Sequence, residues 1–209
     1  LRDRLAKMPL QIYNTLSGQK ESFNPVHEGQ ASLYVCGPTV YSDSHLGHAK
    51  AYVSFDVILR YLRFCGLKTL YVQNITDVGH LMGDADEGED KLLKRARELN
   101  QEPMAVAESY SRRHFEAMDL LEVIRPDISP RATGHIPEQL EAIEKLLEHG
   151  LAYESNGSVY FEITKDPKYG ELSNRKVEEM KSGARVKVRS EKRHPGDFAL
   201  WKRAEPGHL

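Results

Sequence analysis

A strand–helix–strand pattern between residues 31 and 75 constrains the fold more than any other part of the sequence. Residues 31–35 are apolar and predict a short strand, and apolar residues recur at three- and four-residue spacing along 45–65, as on one face of a helix. Gly66 is the residue type that commonly follows a helix, and the β-branched and aromatic run at 69–75 predicts a second strand. A connection of this length joins parallel strands by a right-handed crossover, so the sequence predicts an α/β fold.

The segment between the first strand and the helix, Cys36–His48, has the sequence CGPTVYSDSHLGH. It places a thiol at the carboxyl end of the strand, and His45 and His48 around Gly47 at the start of the helix. Open α/β sheets hold small ligands at such strand ends, and a helix N-terminus suits a phosphate. We therefore expect a phosphate-bearing ligand and a soft ligand side by side. Spacing alone leaves open that these are two surface histidines at a helix start.

Two further features of this strand end each have two interpretations. Cys36 is a candidate zinc ligand, but a lone cysteine is more often a small buried hydrophobe, and no Cys-x-x-Cys or His-Glu-x-x-His spacing accompanies it. Asn74 and Thr76 lie at the end of the second strand and are expected beside Cys36, where small polar groups often fix a substrate. The alternative is that Thr76 or Asp77 is an ordinary helix N-cap, and one of these residues can cap while its neighbour binds.

The remainder of the chain predicts further helices and strands. Residues 89–122 predict one long helix or two that break near Pro103, and 137–149 predict another helix. Residues 158–163 and 184–189 alternate as strands do. The sequence has no Walker lysine motif, no Gly-x-Gly-x-x-Gly fingerprint and no Gly-x-Ser-x-Gly elbow, so the function classes that depend on those motifs are not indicated.

Charge and cysteine content bear on partners and compartment. The net charge of -2 means that any nucleic-acid contact requires a local basic patch. Arg185, Lys187 and Arg189 alternate with valines, so they share one face of the predicted strand and form a candidate phosphate-backbone stripe. A solvated edge protected by charge is the alternative. Two cysteines, no apolar run long enough to span a bilayer and no signal-peptide pattern lead us to expect a cytoplasmic protein without a membrane partner.

Taken in order, the motifs of this chain resemble those of the cysteinyl-tRNA synthetase family of class I aminoacyl-tRNA synthetases. HLGH resembles the HIGH signature of class I, and the longer motifs are CGPTVYSDSHLGH, YVQNITDVG, RATGHI, and GARVKV followed by KRHPGDFALWK. The resemblance runs from about Leu10 to Leu209. It implies an α/β fold with a Rossmann-like parallel sheet of the HIGH-signature nucleotidyl-transferase type and an α+β connective-peptide insertion.

The same resemblance implies a domain organisation and an activity. Residues 1–125 would be the first half of the Rossmann-like catalytic domain, 126–196 the connective-peptide insertion, and 197–209 the start of the second catalytic half. The activity would be ATP-dependent activation of L-cysteine and its ligation to the acceptor end of the tRNA for cysteine. The family's lysine-rich signature loop and anticodon-binding helices are not found in this sequence, so we expect the chain by itself to be inactive.

The resemblance also assigns roles to the residues at the strand ends. His45 and His48 would be catalytic, binding ATP together with Gly47 and stabilising the adenylation transition state. Cys36 would hold one zinc ion per full-length subunit, with the remaining ligands beyond residue 209, and Mg²⁺ would accompany ATP. The residues that would line the cysteine pocket are Cys36, Gly37, Thr39, Asn74 and Thr76. Those that would contact the tRNA acceptor end are Arg185, Lys187 and Arg189.

Two other functions remain open at this stage. A cysteine ligase of the mycothiol type shares the zinc and adenylation chemistry but acylates an amino-sugar. Its loop usually departs from the GPTVY sequence that follows Cys36 here. A non-catalytic tRNA-binding homologue is the other alternative, and the intact HLGH argues against it.

Overall fold

The structure is a computed structural model that describes residues 10–79, 90–175 and 191–204. These residues group by contact into two compact units. Unit 1 consists of the described residues of 1–12 and 22–135, and unit 2 of those of 13–21 and 136–209. In the N-terminal segment, β1 (Gln11–Asn14) and β2 (Gln19–Ser22) pair as a two-stranded sheet.

Unit 1 contains the predicted strand–helix–strand pattern. Its elements are, in chain order, β3 (Gln30–Val35), α1 (Leu46–Phe64), β4 (Lys68–Gln73), α2 (Lys91–Leu99) and α3 (Pro103–Leu120). β3 and β4 pair in parallel, with Val35 opposite Gln73. The predicted α/β class and parallel strand pair are confirmed. Of the two possibilities for 89–122, two helices are present, and the second begins at Pro103.

Helix α1 begins and ends where the sequence predicts. His45 is its N-cap, with extended backbone, and Gly66 follows its C-terminus at a φ of +84°, a conformation that favours glycine. Fewer side chains of the helix are buried than its predicted apolar face contains. Tyr52 and Leu59 are buried, whereas Val53 is 40% exposed.

Two apolar clusters stabilise unit 1. The first lies between α1, the two strands and the end of α3, and consists of Val35, Tyr52, Leu59, Tyr71, Met118 and Val123. The second consists of Val40, Ile75, Leu92, Ala96, Val106, Ala107 and Tyr110. Burying one large apolar side chain contributes roughly 1.5–3 kcal/mol. Because Val40 and Ile75 lie just beyond the two strands, the second cluster anchors both strand ends against α2 and α3.

A segment after α3 lies along β4 and is held by a buried carboxylate. Gln73 donates its backbone N–H to the Ile128 carbonyl at 3.0 Å. Asp77, 1% exposed, accepts hydrogen bonds from the Thr133 N–H at 3.0 Å and the Thr133 hydroxyl at 2.6 Å. Asp77 therefore accepts from the first residue of the short 3₁₀ helix Thr133–His135, which lies in the RATGHI motif. The alternative that Thr76 or Asp77 is the N-cap of a helix is not confirmed, because residues 78 and 79 are not helical.

Unit 2 combines one helix with an antiparallel sheet. Its elements are α4 (Ile136–Glu148), β5 (Ala152–Ser155), β6 (Ser158–Phe161) and β7 (Phe198–Trp201). The predicted helix at 137–149 is confirmed, and so is the predicted strand at 158–163, which ends at Phe161. Asn156 and Gly157 join β5 to β6 with positive φ at both residues, as a two-residue type I′ hairpin turn requires.

A second buried carboxylate holds the segment that precedes β7. Asp197, 1% exposed, accepts hydrogen bonds from the Tyr153 hydroxyl at 2.9 Å, the Ile163 N–H at 3.1 Å and the His194 N–H at 2.9 Å. A buried carboxylate is stable only when donors satisfy it, and these three come from three separate segments. The HPGD part of the KRHPGDFALWK motif is therefore a structural turn.

Some predictions about the second half of the chain are not tested. The predicted strand at 184–189 lies outside the described residues. The predicted domain bounds, 1–125, 126–196 and 197–209, remain predictions, although residues 126–135 group with unit 1. Within the described ranges, no helix combines the length and the apolar character needed to cross a membrane.

We predict that Asp77→Ala lowers the free energy of unfolding by about 2–3 kcal/mol, because it leaves the Thr133 N–H and hydroxyl without their charged acceptor. Urea-induced unfolding followed by circular dichroism measures the change. The control is Asp119→Ala, which removes an exposed ion pair with Arg125 and should change stability much less. Equal losses in the two variants would contradict the structural role of Asp77.

Candidate functional site

The two strand ends stay paired beyond the strands themselves. Cys36, at the carboxyl end of β3, is exposed. The Gly37 N–H donates to Asn74 Oδ1 at 2.8 Å, and Thr39 and Thr76 form a parallel bridge. The structure therefore brings together all five residues predicted to line the cysteine pocket.

Position 37 requires glycine because the segment at Asn74 passes very close to it. A Cβ atom on Gly37 would lie 1.6 Å from the backbone oxygen of Asn74 and 2.7 Å from its carbonyl carbon. No side chain fits there without separating the strand ends. The sequence does not show this constraint, because it arises between segments that are far apart in the chain.

The Asn74 side chain is already engaged within the protein. Its Oδ1 accepts from the Gly37 N–H and from the Tyr34 hydroxyl at 2.9 Å, and its Nδ2 donates to Thr76 Oγ1 at 3.2 Å. One Nδ2 hydrogen is left for a ligand by this geometry. The first role of Asn74 is therefore to hold the strand ends in register, and a contact with substrate stays a prediction.

The two histidines of HLGH cap helix α1 with their own rings. His45 Nδ1 accepts from the Gly47 N–H at 3.0 Å, and His48 Nδ1 accepts from the His45 N–H at 3.2 Å. The ring centroids are 4.0 Å apart. Because each Nδ1 accepts, a neutral ring carries its proton on Nε2. Both rings thus keep an Nε2–H donor for a ligand at the helix N-terminus.

The histidine cap also explains the glycine between the two rings. A Cβ atom on Gly47 would lie 2.8 Å from His45 Cε1 and 3.0 Å from His45 Nδ1. The sequence interpretation assigns Gly47 to the close approach of a nucleotide. The structure adds a nearer reason, since a side chain at position 47 would displace the His45 ring from its capping position.

A third histidine, which no motif of the sequence marks, lies behind this pair. His114 on α3 is 2% exposed, and its Nδ1 lies 2.9 Å from the Ser44 hydroxyl. Its ring contacts Tyr52 edge-on, with centroids 5.2 Å apart, and lies 6.5 Å from the ring of His48. The sequence did carry a signal for the burial of His114. This residue lies four positions from Tyr110 and four from Met118, and both are on the buried face of the helix.

Burial lowers the proton affinity of the His114 and His48 rings. It lowers the pKa of His114 to about 4, with a smaller contribution from the nearby His48. Burial also lowers the pKa of His48, with a smaller contribution from His45. Both rings are therefore neutral at pH 7, which is the state that the cap geometry of His48 needs.

Cys36 is of the right type for a soft metal ion, but the described residues do not complete a metal site around it. Its thiol is exposed, so the interpretation as a small buried hydrophobe is wrong. Among residues 10–79, 90–175 and 191–204, no three His, Cys, Asp or Glu side chains gather closely enough to hold a metal ion. A zinc site takes four protein ligands, or three and an open position for a substrate, so these residues by themselves do not fit zinc.

The predicted tRNA-contacting residues are not placed by the structure. Arg185, Lys187 and Arg189 lie outside the described residues, so the basic stripe stays a prediction.

Comparison with known proteins adds a family match. Residues 22–209 match the model described as tRNA synthetases class I (C) catalytic domain. The cysteine–tRNA ligase of Chlorobaculum tepidum is 60% identical over 205 residues, covering 96% of this chain and 42% of that protein. A cysteine–tRNA ligase of Thermus thermophilus is 57% identical over 202 residues, covering 97% of this chain and 42% of that protein. The chain thus spans about two fifths of the length of these curated relatives.

Among solved structures, the arginyl-tRNA synthetase of Plasmodium falciparum has a TM-score of 0.45 at 15% sequence identity, over 66% of this chain and 31% of that one. A similarity at this level does not by itself assign a fold.

We predict that Gly37→Ala lowers the free energy of unfolding by about 3 kcal/mol or more, because a methyl group cannot share space with the Asn74 carbonyl. Urea-induced unfolding measures the loss. The control is Gly134→Ala, where the added Cβ would lie 4.0 Å from Arg131, an ordinary contact. Similar stability of the two variants would show that the strand ends are not closely paired.

We also predict that stability decreases as the pH is lowered from about 6.5 towards 4. Unfolded histidine titrates near 6.5 and buried His114 near 4, so the unfolded state binds more protons between these values. The lowered pKa of His48, the titratable ring that faces His114 from α1, acts in the same direction. His114→Asn should reduce the stability difference between pH 7 and pH 5 by about 2 kcal/mol, as measured by urea unfolding. An unchanged difference would contradict this prediction.

Proposed function

The chain belongs to the catalytic-domain family of class I (C) tRNA synthetases, and we propose that it serves, as part of a longer enzyme, to activate L-cysteine with ATP and to ligate it to the tRNA for cysteine in the cytoplasm. The observation that carries the proposal is the histidine pair at the start of α1. Both rings use Nδ1 for the helix cap and keep Nε2–H donors beside the paired strand ends.

The finer architecture is part of the same proposal. A Rossmann-like sheet is supported by the parallel β3–α1–β4 crossover, whose carboxyl ends carry the candidate site. A connective-peptide insertion is supported by the separate unit with α4 and the antiparallel strands β5, β6 and β7. The acceptor end of tRNA would contact Arg185, Lys187 and Arg189.

The chemistry has two steps. In the first, a carboxylate oxygen of cysteine attacks the α-phosphorus of ATP, forming cysteinyl adenylate as the bond to pyrophosphate breaks. In the second, a ribose hydroxyl of the terminal adenosine of tRNA attacks the cysteinyl carbonyl, and AMP leaves. Neither step requires a covalent bond to the protein, so the enzyme contributes positioning and charge stabilisation.

His45 and His48 would supply that charge stabilisation. Their Nε2–H groups would donate to phosphate oxygens, on which negative charge accumulates as pyrophosphate leaves. Burial lowers the pKa of His48 and keeps the ring neutral, so it would act as a hydrogen-bond donor that needs no proton from solvent. Because each Nδ1 is fixed by a backbone N–H, both rings are already oriented before ATP binds.

The cysteine side of the site would be formed at the strand ends. Cys36 would be one ligand of a zinc ion whose other ligands come from outside the described residues, and Mg²⁺ would accompany ATP. A zinc ion held there would supply an affinity for the thiolate of cysteine, a soft ligand that serine lacks. Gly37, Thr39, Asn74 and Thr76 would line the pocket, with Asn74 mainly holding its shape.

We predict that the complete natural chain catalyses cysteine-dependent ATP–pyrophosphate exchange. Measuring this exchange tests the proposal. His45→Asn is the informative variant, because asparagine is a good N-cap residue but has no counterpart of Nε2. We expect this variant to fold normally and to lose about 100-fold in the exchange kcat, the size of effect seen when one transition-state donor is removed. The control is His135→Asn, which removes an exposed histidine outside the site.

Three outcomes would count against the proposal. Absence of exchange by the wild-type chain, with zinc and Mg²⁺ supplied, would contradict the enzymatic function. Full exchange by His45→Asn would remove the histidine pair from catalysis. Exchange with acylation of an amino-sugar, and no charging of tRNA, would favour the mycothiol-type ligase instead.

A further inference from the structure

Helix α3 holds the segment before HLGH at two consecutive residues. Arg113 Nη2 contacts Asp43 Oδ2 at 2.6 Å, and His114 Nδ1 contacts the Ser44 hydroxyl at 2.9 Å. Ser44 directly precedes His45, the N-cap of α1. Arg113 and His114, which we call the α3 brace, thus hold the side chains of the two residues just before the histidine pair.

The two contacts of the α3 brace differ in environment. The Arg113–Asp43 pair is exposed, and such pairs add little to stability. His114 is 2% exposed, and its Nε2 has no hydrogen-bond partner among the described residues. A buried polar atom without a partner is unfavourable, so packing alone does not account for a histidine at this position. An apolar ring could not make the contact with Ser44.

The ring of His114 also lies edge-on to the His48 ring, with centroids 6.5 Å apart. His48 and Tyr52 stack nearly parallel, with an interplanar angle of 6°, and His114 meets both rings edge-on at 76°. His48 in turn accepts the N–H of His45 through Nδ1. A continuous series of contacts therefore runs from α3 through His114 and His48 to the N-cap of α1.

From these contacts we propose that His114 is a positioning residue for the adenylation reaction, which holds His45 and His48 in the orientation that presents their Nε2–H donors to ATP. The inference rests on the proposed function. His114 is not itself a catalytic residue, because its Nε2 is buried and no ligand reaches it in this arrangement. Arg113 assists by holding Asp43.

The test compares two substitutions of His114 in the complete natural chain. His114→Phe keeps a buried ring of similar size but loses the bond to Ser44, whereas His114→Asn keeps a polar group near the position of Nδ1. We expect His114→Phe to lower the kcat of cysteine-dependent exchange about tenfold with an unchanged KM for cysteine, and His114→Asn to retain most of the activity. If His114 served only for packing, His114→Phe would be the more active variant, and that result would overturn the inference.

Ser44→Ala tests the same contact from the other side. It should reproduce the loss of kcat seen in His114→Phe, and the double variant should be no worse than either single one, because both remove one interaction. Additive losses would overturn the inference. The control on α3 is Arg112→Ala, an exposed neighbour that does not contact the HLGH segment and should leave exchange unchanged.

A readout that does not depend on activity separates this inference from the proposed function. The imidazole ¹⁵N signals of His48 report which ring nitrogen carries the proton, and they should change in His114→Phe but not in Arg112→Ala. Unchanged His48 signals in His114→Phe would overturn the positioning role. If those signals change while the wild-type chain shows no exchange, the positioning of His48 is supported and the proposed function alone is contradicted.

Discussion

The site depends on one interaction, the close approach of the segment after β3 to the segment after β4. Parallel strands normally diverge into separate loops at their carboxyl ends, but here the pairing resumes at Thr39 and Thr76. The bond from the Gly37 N–H to Asn74 spans the gap, and only glycine allows the two backbones to come so close. Val40 and Ile75, buried just beyond, then anchor both segments in the core that α2 and α3 complete. The exposed thiol of Cys36 and the start of α1 are thereby placed at one edge of unit 1.

The histidine pair combines a structural role with a chemical one. A helix N-terminus needs acceptors for its free N–H groups, and here imidazole Nδ1 atoms take the place of the usual hydroxyl or carboxylate. The choice of acceptor has a consequence, because it places the proton of each neutral ring on Nε2. Protonation of His48 Nδ1 would break its bond to the His45 N–H, so the bond that orients this ring also favours its neutral state. The buried environment of His48, which lowers its pKa, favours that state as well.

The elements most accessible from sequence were those with strong local signals. The strand at 31–35, the helix from His45 to Gly66 and the break at Pro103 follow from periodicity and from residues that begin or end helices, and the structure places them within a few residues of the expected bounds. The proximity of Asn74 and Thr76 to Cys36 followed from one topological rule, that parallel strands end at the same edge. The interpretation of Cys36 as a buried hydrophobe was wrong, because burial depends on what packs over a residue and not on its type.

By itself, the sequence determined the α/β class, the order of β3, α1 and β4, and the residue types at their ends, because these depend on local periodicity and on short motifs. Only the tertiary structure decided how those residues are used. It made Asp77 the acceptor for the first residue of a short helix, Thr133, which is 56 positions away. It also joined Asn74 to Gly37 by a hydrogen bond and placed His114 behind His48. Each of these contacts joins segments that are remote in the chain, and their spacing in sequence carries no trace of the distance between them in space.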